Sequence, residues 1–364
     1  MDRVKNSKNP LTLILLTLIL AISLIQAVCA VGVVGAITVG GAPSGVAFDS
    51  PKNELFVTNL PFNTVEVVSV GDASLVANVT VGNSPSGLAY DPRGLVFVAN
   101  TRSGTVSVVS DSNNTVIANI TVGQGPMGVV LDAVRSKIFV TNTFSGTVSV
   151  ITDSNDAVVA TVSVGASQFG GEAYDAGKGE IFVDSGNTVS VISDTNYGII
   201  ANIPVGYGPS GMAYDASTNE IFVANYDSNT VSVISDSNNT VVATIPVGNS
   251  PTAVAFDNSK DEILVANTGS NSISIIADTN DAVIATVPVQ SMPGAVAYDS
   301  FTGRIFVANG NSGTISVLTS AASLSTSPSV PELSDSATLI LLSAATIAAA
   351  YWKNRKRTFE QLHQ

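Results

Sequence analysis

Short apolar runs of Val, Ile, Phe and Ala alternate along residues 31–320 with clusters of Gly, Pro, Asn, Asp and Ser. Runs of this kind, rich in β-branched residues and bounded by turn formers, predict β-strands. No stretch within this region spaces its apolar residues as an amphipathic helix would. The runs recur in a fixed order. One copy reads SGMAYD at 210–215, EIFVAN at 220–225, TVSVI at 230–234 and VVATIPVG at 241–248. The second run ends at Asn59, Asn100, Asn142, Ser185, Asn225, Asn267 and Asn309, so successive copies stand 40 to 43 residues apart. A constant period of this size predicts one supersecondary unit per copy, stacked as a solenoid or a propeller.

The ends of the repeat array favour a ring. The first, second and third runs each occur seven times, whereas the fourth follows only six of the third runs and gives way to Ser, Ala and Pro after Leu318. The missing copy, VGAITVG at 34–40, stands at the N-terminal end. A ring of four-stranded sheets leaves no long open edge if this N-terminal strand completes the last sheet. An open solenoid would need polar capping repeats, and none is visible. A β-helix is the competing architecture, but its coils run shorter than this period. The expected fold is therefore all-β: a seven-bladed propeller of four-stranded antiparallel blades, spanning 31–319, with the N-terminal strand paired to the last three.

The segments EIFVAN, NTVSVI and ATIPVGNSPTAVAFD (residues 220–225, 229–234 and 243–257) resemble the YVTN-type β-propeller repeats of archaeal and bacterial cell-surface proteins, including surface-layer-associated ones. The resemblance covers about residues 31–320. It implies a propeller exposed at the cell surface and implies no chemistry, because such repeats group chains by pattern and not by reaction.

Both ends carry membrane signals. Arg3, Lys5 and Lys8 precede an apolar run from Leu11 to Ile25, and Val28, Cys29 and Ala30 offer small residues for signal-peptidase cleavage, so 1–30 reads as a secretory signal helix. Residues 320–336 form a Ser/Thr/Pro stalk. Residues 337–352 are apolar and end on Tyr351 and Trp352, an expected transmembrane helix, and 353–364 is a basic tail held in the cytoplasm. Pro331-Glu332 before this helix resembles the Pro-Glu-type sorting signals cut by exosortase- and archaeosortase-like enzymes, although Leu333 departs from the usual Phe or Pro. Two readings of the C-terminus stay open, a lasting anchor and a processed sorting signal. Either one puts the propeller outside the membrane, on the cell surface.

Charge narrows the partners. Of the 15 Lys and Arg, seven lie in the tails, leaving 8 bases against 24 acids in the repeats. An acidic body of this kind is a poor partner for nucleic-acid phosphates. Cys29 and His363 are the chain's single cysteine and histidine, and both stand outside the repeats. A Ser–His–Asp triad, His-ligated haem and Cys-based zinc are thereby excluded from the propeller. No phosphate-cradling loop or nucleotide fingerprint appears.

The remaining candidates are placed by the expected topology. The recurring Asp111, Asp153, Asp194, Asp236 and Asp278 stand between the third and fourth runs and read as hairpin turns rather than as calcium loops. The fourth copy breaks the pattern at Ser167-Gln168-Phe169-Gly170-Gly171-Glu172: Glu172 replaces an apolar residue of the first run, and Asp184 replaces Ala or Thr of the second. Two acids beside the central channel would hold Ca²⁺ or another divalent cation, or else mark a drifted blade with solvated acids. One face should gather the variable loops bearing Phe62, Arg102, Phe144, Phe169, Tyr207 and Tyr226, residue types suited to recognition. Asn78, Asn113, Asn119 and Asn238 match the N-glycosylation pattern. The expected function is a non-enzymatic scaffold of the cell envelope that binds envelope proteins or glycans, without a resident cofactor. The alternative is a metal-dependent, lactonase- or hydrolase-like enzyme with its acids in the channel.

Overall fold

The computed structural model describes residues 31–152, 156–166 and 169–319. The chain divides into units 1–321 and 322–364, and all described residues lie in the first. The signal segment 1–30, the stalk, the apolar helix 337–352 and the basic tail fall outside the described residues, as do Asp153, Ser167 and Gln168. Among the described residues no helix is long and apolar enough to cross a membrane.

The described chain forms seven four-stranded antiparallel sheets. Blades one to six take their strands in sequence order: residues 43–80, 85–121, 126–163, 172–204, 209–246 and 251–288. Blade seven joins strands Pro293–Asp299, Arg304–Asn309 and Thr314–Thr319 to the N-terminal strand Gly32–Thr38, which pairs as the outermost strand. The pairing runs from Gly32 opposite Thr319 to Thr38 opposite Thr314, so the ring closes as the repeat count predicts. The first strand of each blade packs beside its counterparts in the two neighbouring blades, around the full circle.

The burial pattern explains why the second and third runs read as continuous apolar stretches. A blade is sandwiched between two others, so both faces of its middle strands are buried and alternation is lost. Phe56, Phe97, Phe139, Phe182, Phe222 and Phe306, from the IFVAN-like run, are wholly buried. Each core cluster is shared by two adjacent blades. The cluster between blades seven and one, for example, joins Ile37, Phe306 and Ile315 to Leu55, Val57 and Val68. The outer strands do alternate, as in Thr240–Pro246, because one of their faces meets solvent.

Polar residues are pushed to the strand ends, where they act as pegs. The Asn that closes the second strand is fully buried in six blades. Asn142 Nδ2 donates to Thr147 Oγ1 at 3.2 Å and to Ser149 Oγ at 2.9 Å, and Asn225 repeats the pair with Thr230 and Ser232. The Gly of the preceding Val-Gly lies over this amide: a Cβ on Gly123 would sit 2.7 Å from Asn142 Cγ. The Pro-Ser of the first strand is a second peg. Ser44 Oγ donates to the Pro85 carbonyl at 3.0 Å and Ser210 Oγ to the Pro251 carbonyl at 3.0 Å, each in the next blade.

Closure by the N-terminal strand generates a matched pair of substitutions. Ile37 is 4% exposed in the seven–one interface, whereas Val33 on the same strand is 45% exposed. Ile37→Asp should cost about 3 kcal/mol or more, as an unpaired charge buried in an apolar cluster. Val33→Asp should fall within about 0.5 kcal/mol of the parent. Denaturant unfolding of both variants checks this; equal losses would mean that the strand does not seal the ring.

Candidate functional site

Three regions carry side chains that could recognise or react. On one face, the turn between second and third strands lies against the connection that enters the same blade. Backbone bonds join them: Phe144 N donates to Gln124 O at 3.2 Å, and Tyr226 N to Gly208 O at 2.8 Å. Phe62, Arg102, Phe144 and Tyr226 occupy these turns, and Phe169 and Tyr207 occupy the connections, so all six expected residues share one face. Phe62, Phe144 and Tyr207 are 61%, 69% and 68% exposed, which is high for aromatic side chains on backbone held this firmly. The structure brings Phe169 and Tyr226 together, with ring centroids 4.9 Å apart. Arg102 is exposed and lines a concavity of about 280 Å³ with Leu60, Pro61, Asn63, Asn83 and Ser84.

The second region is the axial channel. A cavity of about 390 Å³ is lined by the first strands of the blades, mostly through Gly, Ser and small aliphatic residues. Phe169 and Glu172 also line it. Glu172 crosses to blade three, where its Oε2 accepts from Thr141 Oγ1 at 2.6 Å, and its Oε1 is buried without a hydrogen-bond partner. Burial holds this carboxyl well above its ordinary pKa, the Thr141 bond opposes the shift, and the charge of Asp184 adds to it. Asp184 is buried in the same blade and accepts from the Gly170 amide at 3.1 Å. The two acids singled out from the sequence are thus electrostatic neighbours, but only Glu172 lines the channel; Asp184 is buried one strand further out.

The third region is on the opposite face, and the sequence reading passed over it. The Asp that ends each first strand is buried in all seven blades and accepts from the backbone of the following turn, as in Ser217 N to Asp215 Oδ1 at 2.7 Å. The aspartates read as simple hairpin-turn residues are also buried: Asp194, Asp236 and Asp278 are 0%, 2% and 7% exposed. They face the preceding blade. Each such groove sets the first-strand Asp of one blade against the turn Asp of the next, and the second strand beside it opens on Glu180 or Glu220 in two of the three and on Lys137 in the other. Between blades four and five, oxygens of Asp175, Glu180 and Asp236 all lie within 4.8 Å of one another. Lys178 joins them, its Nζ 2.9 Å from Asp236 Oδ1, and this partner raises the Lys178 pKa. The sequence signal was the regular Asp, Lys and Glu spacing of the first turn, but its third member lies about 60 residues further on, across a blade boundary.

The glycosylation candidates Asn78, Asn113, Asn119 and Asn238 are exposed. Asn78 and Asn119 stand on outer strands, while Asn113 and Asn238 stand in the turns that lead to them.

Glu172 makes folding depend on pH with a definite sign. Its pKa in the folded state lies above the unfolded value near 4.5, so its contribution is most favourable below that value and is lost as pH rises through the folded one. Glu172→Gln, which keeps the acceptor for Thr141, should match the parent near pH 4 and exceed it at pH 8 by on the order of 1 kcal/mol. Denaturant titrations at the two pH values read this, and identical pH profiles would show the carboxyl to be solvated.

No protein-family model matches the chain, and no curated protein matches it either. Among solved structures the chain is similar to a chain of hydrazine synthase from Kuenenia stuttgartiensis, with a TM-score of 0.68 and 18% sequence identity. The match covers 77% of this chain and 96% of the other. At that identity the likeness is one of fold, and the fold is that of a seven-bladed β-propeller.

Proposed function

We propose that this protein is a non-enzymatic scaffold of the cell envelope, a rigid ring that presents one face of loops to envelope proteins or glycans. The observation that carries the reading is the set of exposed aromatic tips, Phe62, Phe144 and Tyr207, on turns bonded to the ring. Preorganised aromatic side chains lose little freedom on binding, and they stack on sugar rings and protein surfaces alike. The exposed Arg102 among them supplies a charged donor. The outer strands add exposed aliphatic pairs, such as Leu75 with Val76 and Ile199 with Ile200, suited to lateral packing against neighbours.

The location is proposed from the sequence of the two ends. A basic, then apolar, then small-residue N-terminus fits export, with signal peptidase as processing partner. The apolar 337–352 followed by Lys353, Arg355, Lys356 and Arg357 fits a membrane tether whose tail faces the cytoplasm, or a sorting signal for a sortase-like enzyme. The exposed Asn-x-Thr sites fit glycosylation on the outer side.

A second reading, a metal-dependent enzyme of the lactonase or hydrolase kind, is favoured by one observation: the buried, uncompensated Glu172 beside Asp184 in a channel cavity. Propellers do support catalysis, and the similar chain from Kuenenia stuttgartiensis is one of hydrazine synthase. Against it stands the absence of histidine from residues 31–319.

A binding screen of the purified full chain against envelope polysaccharides and envelope proteins distinguishes the two. On the scaffold reading, Phe144→Ala with Tyr207→Ala should weaken the captured ligand by about tenfold or more, while Glu172→Gln with Asp184→Asn leaves it unchanged. Stoichiometric metal that disappears in the acid variant, together with ligand binding indifferent to the aromatic pair, would instead support the enzyme.

A further inference from the structure

The outermost strands break their alternation at the same place in all seven blades. Each pairs on one side only and carries a β-bulge against the third strand of its blade. In blade one Val67 stands opposite Ala77 and Val68 opposite Leu75, so Val76 is the extra residue. The same count leaves Ile117, Val159, Ile200, Val242, Ile284 and Val34 as the extra residues of the other six. A bulge re-aims the extra side chain and twists the edge away from further pairing. Here it sets that side chain outward on the rim: the seven residues are 46% to 59% exposed, and every one is Val or Ile.

Neither the bulge nor the strand needs an aliphatic side chain there. Threonine has the same branching and a similar strand preference, and it would leave the rim polar. The outermost strands also lack charge: from Gly32–Thr38 to Ala282–Pro288, none of the seven holds an Asp, Glu, Lys or Arg. The repeats as a whole carry 24 acids against 8 bases. Two such acidic rings repel one another over most of their surface, and the charge-free rim is where they can approach. The bulge residues point outward around the full circle, so a bilayer or a ligand lying on one face of the ring would not cover them. A second copy lying alongside does, and it presents the same patch, as a self-complementary contact requires. The glycosylation candidates all belong to blades one, two and five, which leaves the rims of blades three, four, six and seven bare of them. A contact between two bulges and their neighbours is well short of the roughly 1,000 Å² that a lasting interface buries. It therefore holds only where copies are concentrated side by side.

We propose that the rim is a self-association surface, on which the bulge residues of one copy pack against those of a second copy beside it in the same plane. The proposal rests on the scaffold reading for its planar setting. It uses a different surface from the loop face, so ligand capture by Phe144 and Tyr207 and contact at the rim can fail separately.

Threonine at the bulge tests this at exposed positions. The full chain is held through a C-terminal hexahistidine tag on a bilayer containing nickel-chelating lipid, which sets it in a plane whether or not 337–352 inserts by itself. Energy transfer between donor- and acceptor-labelled copies is followed as surface density rises. The parent should exceed the transfer expected of randomly placed copies. Threonine at all seven bulges (Val34→Thr and its six counterparts) should raise the density needed for half-maximal transfer by about tenfold or more, with circular dichroism and melting temperature close to the parent's. Ile200→Asp with Ile284→Asp, a smaller change that keeps the test open if the seven-site variant does not fold, should shift it in the same direction. Phe144→Ala with Tyr207→Ala should leave it unchanged. Transfer in the parent no greater than random placement would overturn the proposal. So would folded bulge variants that associate as the parent does, or association abolished by the Phe144 and Tyr207 changes, which would move the contact to the loop face.

Discussion

The pairing of Gly32–Thr38 with Thr314–Thr319 is the contact on which the rest of the molecule depends. A single four-stranded blade cannot bury either face of its middle strands by itself, so its stability comes from its neighbours. Each blade here has two neighbours, and the first strand of the domain completes the last sheet so that blade seven meets blade one with its full face. Without it, the outer part of the interface shared by Ile37, Phe306 and Leu55 would lose Ile37 and Val39 and expose apolar surface to water. Closure also lets each blade boundary carry one core cluster, so that no blade serves as a cap.

This sandwiching dictates where polar chemistry can be. The faces of the middle strands are apolar on both sides, which leaves the strand ends, the turns and the axis. At one end, Asn amides donate to Thr or Ser hydroxyls under a close-lying glycine. At the other, buried aspartates meet across blade boundaries and need a counter-charge. Lys52, Arg135 and Lys178 supply it at three of these boundaries. Deviations from such a pattern are informative because the repeat shows what the unmodified position looks like. Glu172 in blade four is a departure of this kind.

Fold and site differ in how far they could be read along the chain. The recurrence of Asn59, Asn100 and Asn142, the single extra strand at 34–40 and the loss of the fourth run after Leu318 were enough to infer blade number, strand order and closure. The first strand's place on the channel and the shared face of Phe62, Phe144 and Tyr207 also followed, since topology alone assigns strand ends to faces. The aspartates after the third strands were misjudged in one respect. Asp194, Asp236 and Asp278 do sit in turns, as their neighbours Ser and Asn suggest, but their carboxyls are buried against another blade. Local pattern describes a residue's own hairpin and cannot report what is packed against it.

The sequence by itself determined the architecture, because periodic strand and turn chemistry with one displaced strand leaves a closed ring as the arrangement that completes a four-stranded sheet in every blade. Only the tertiary structure decided which acids are neighbours. Asp175 and Asp236 are 61 residues apart and belong to different blades, yet their oxygens lie within 4.8 Å of one another in one groove. Electrostatic energy depends on distance and burial in three dimensions, and ring packing, rather than order along the chain, sets both.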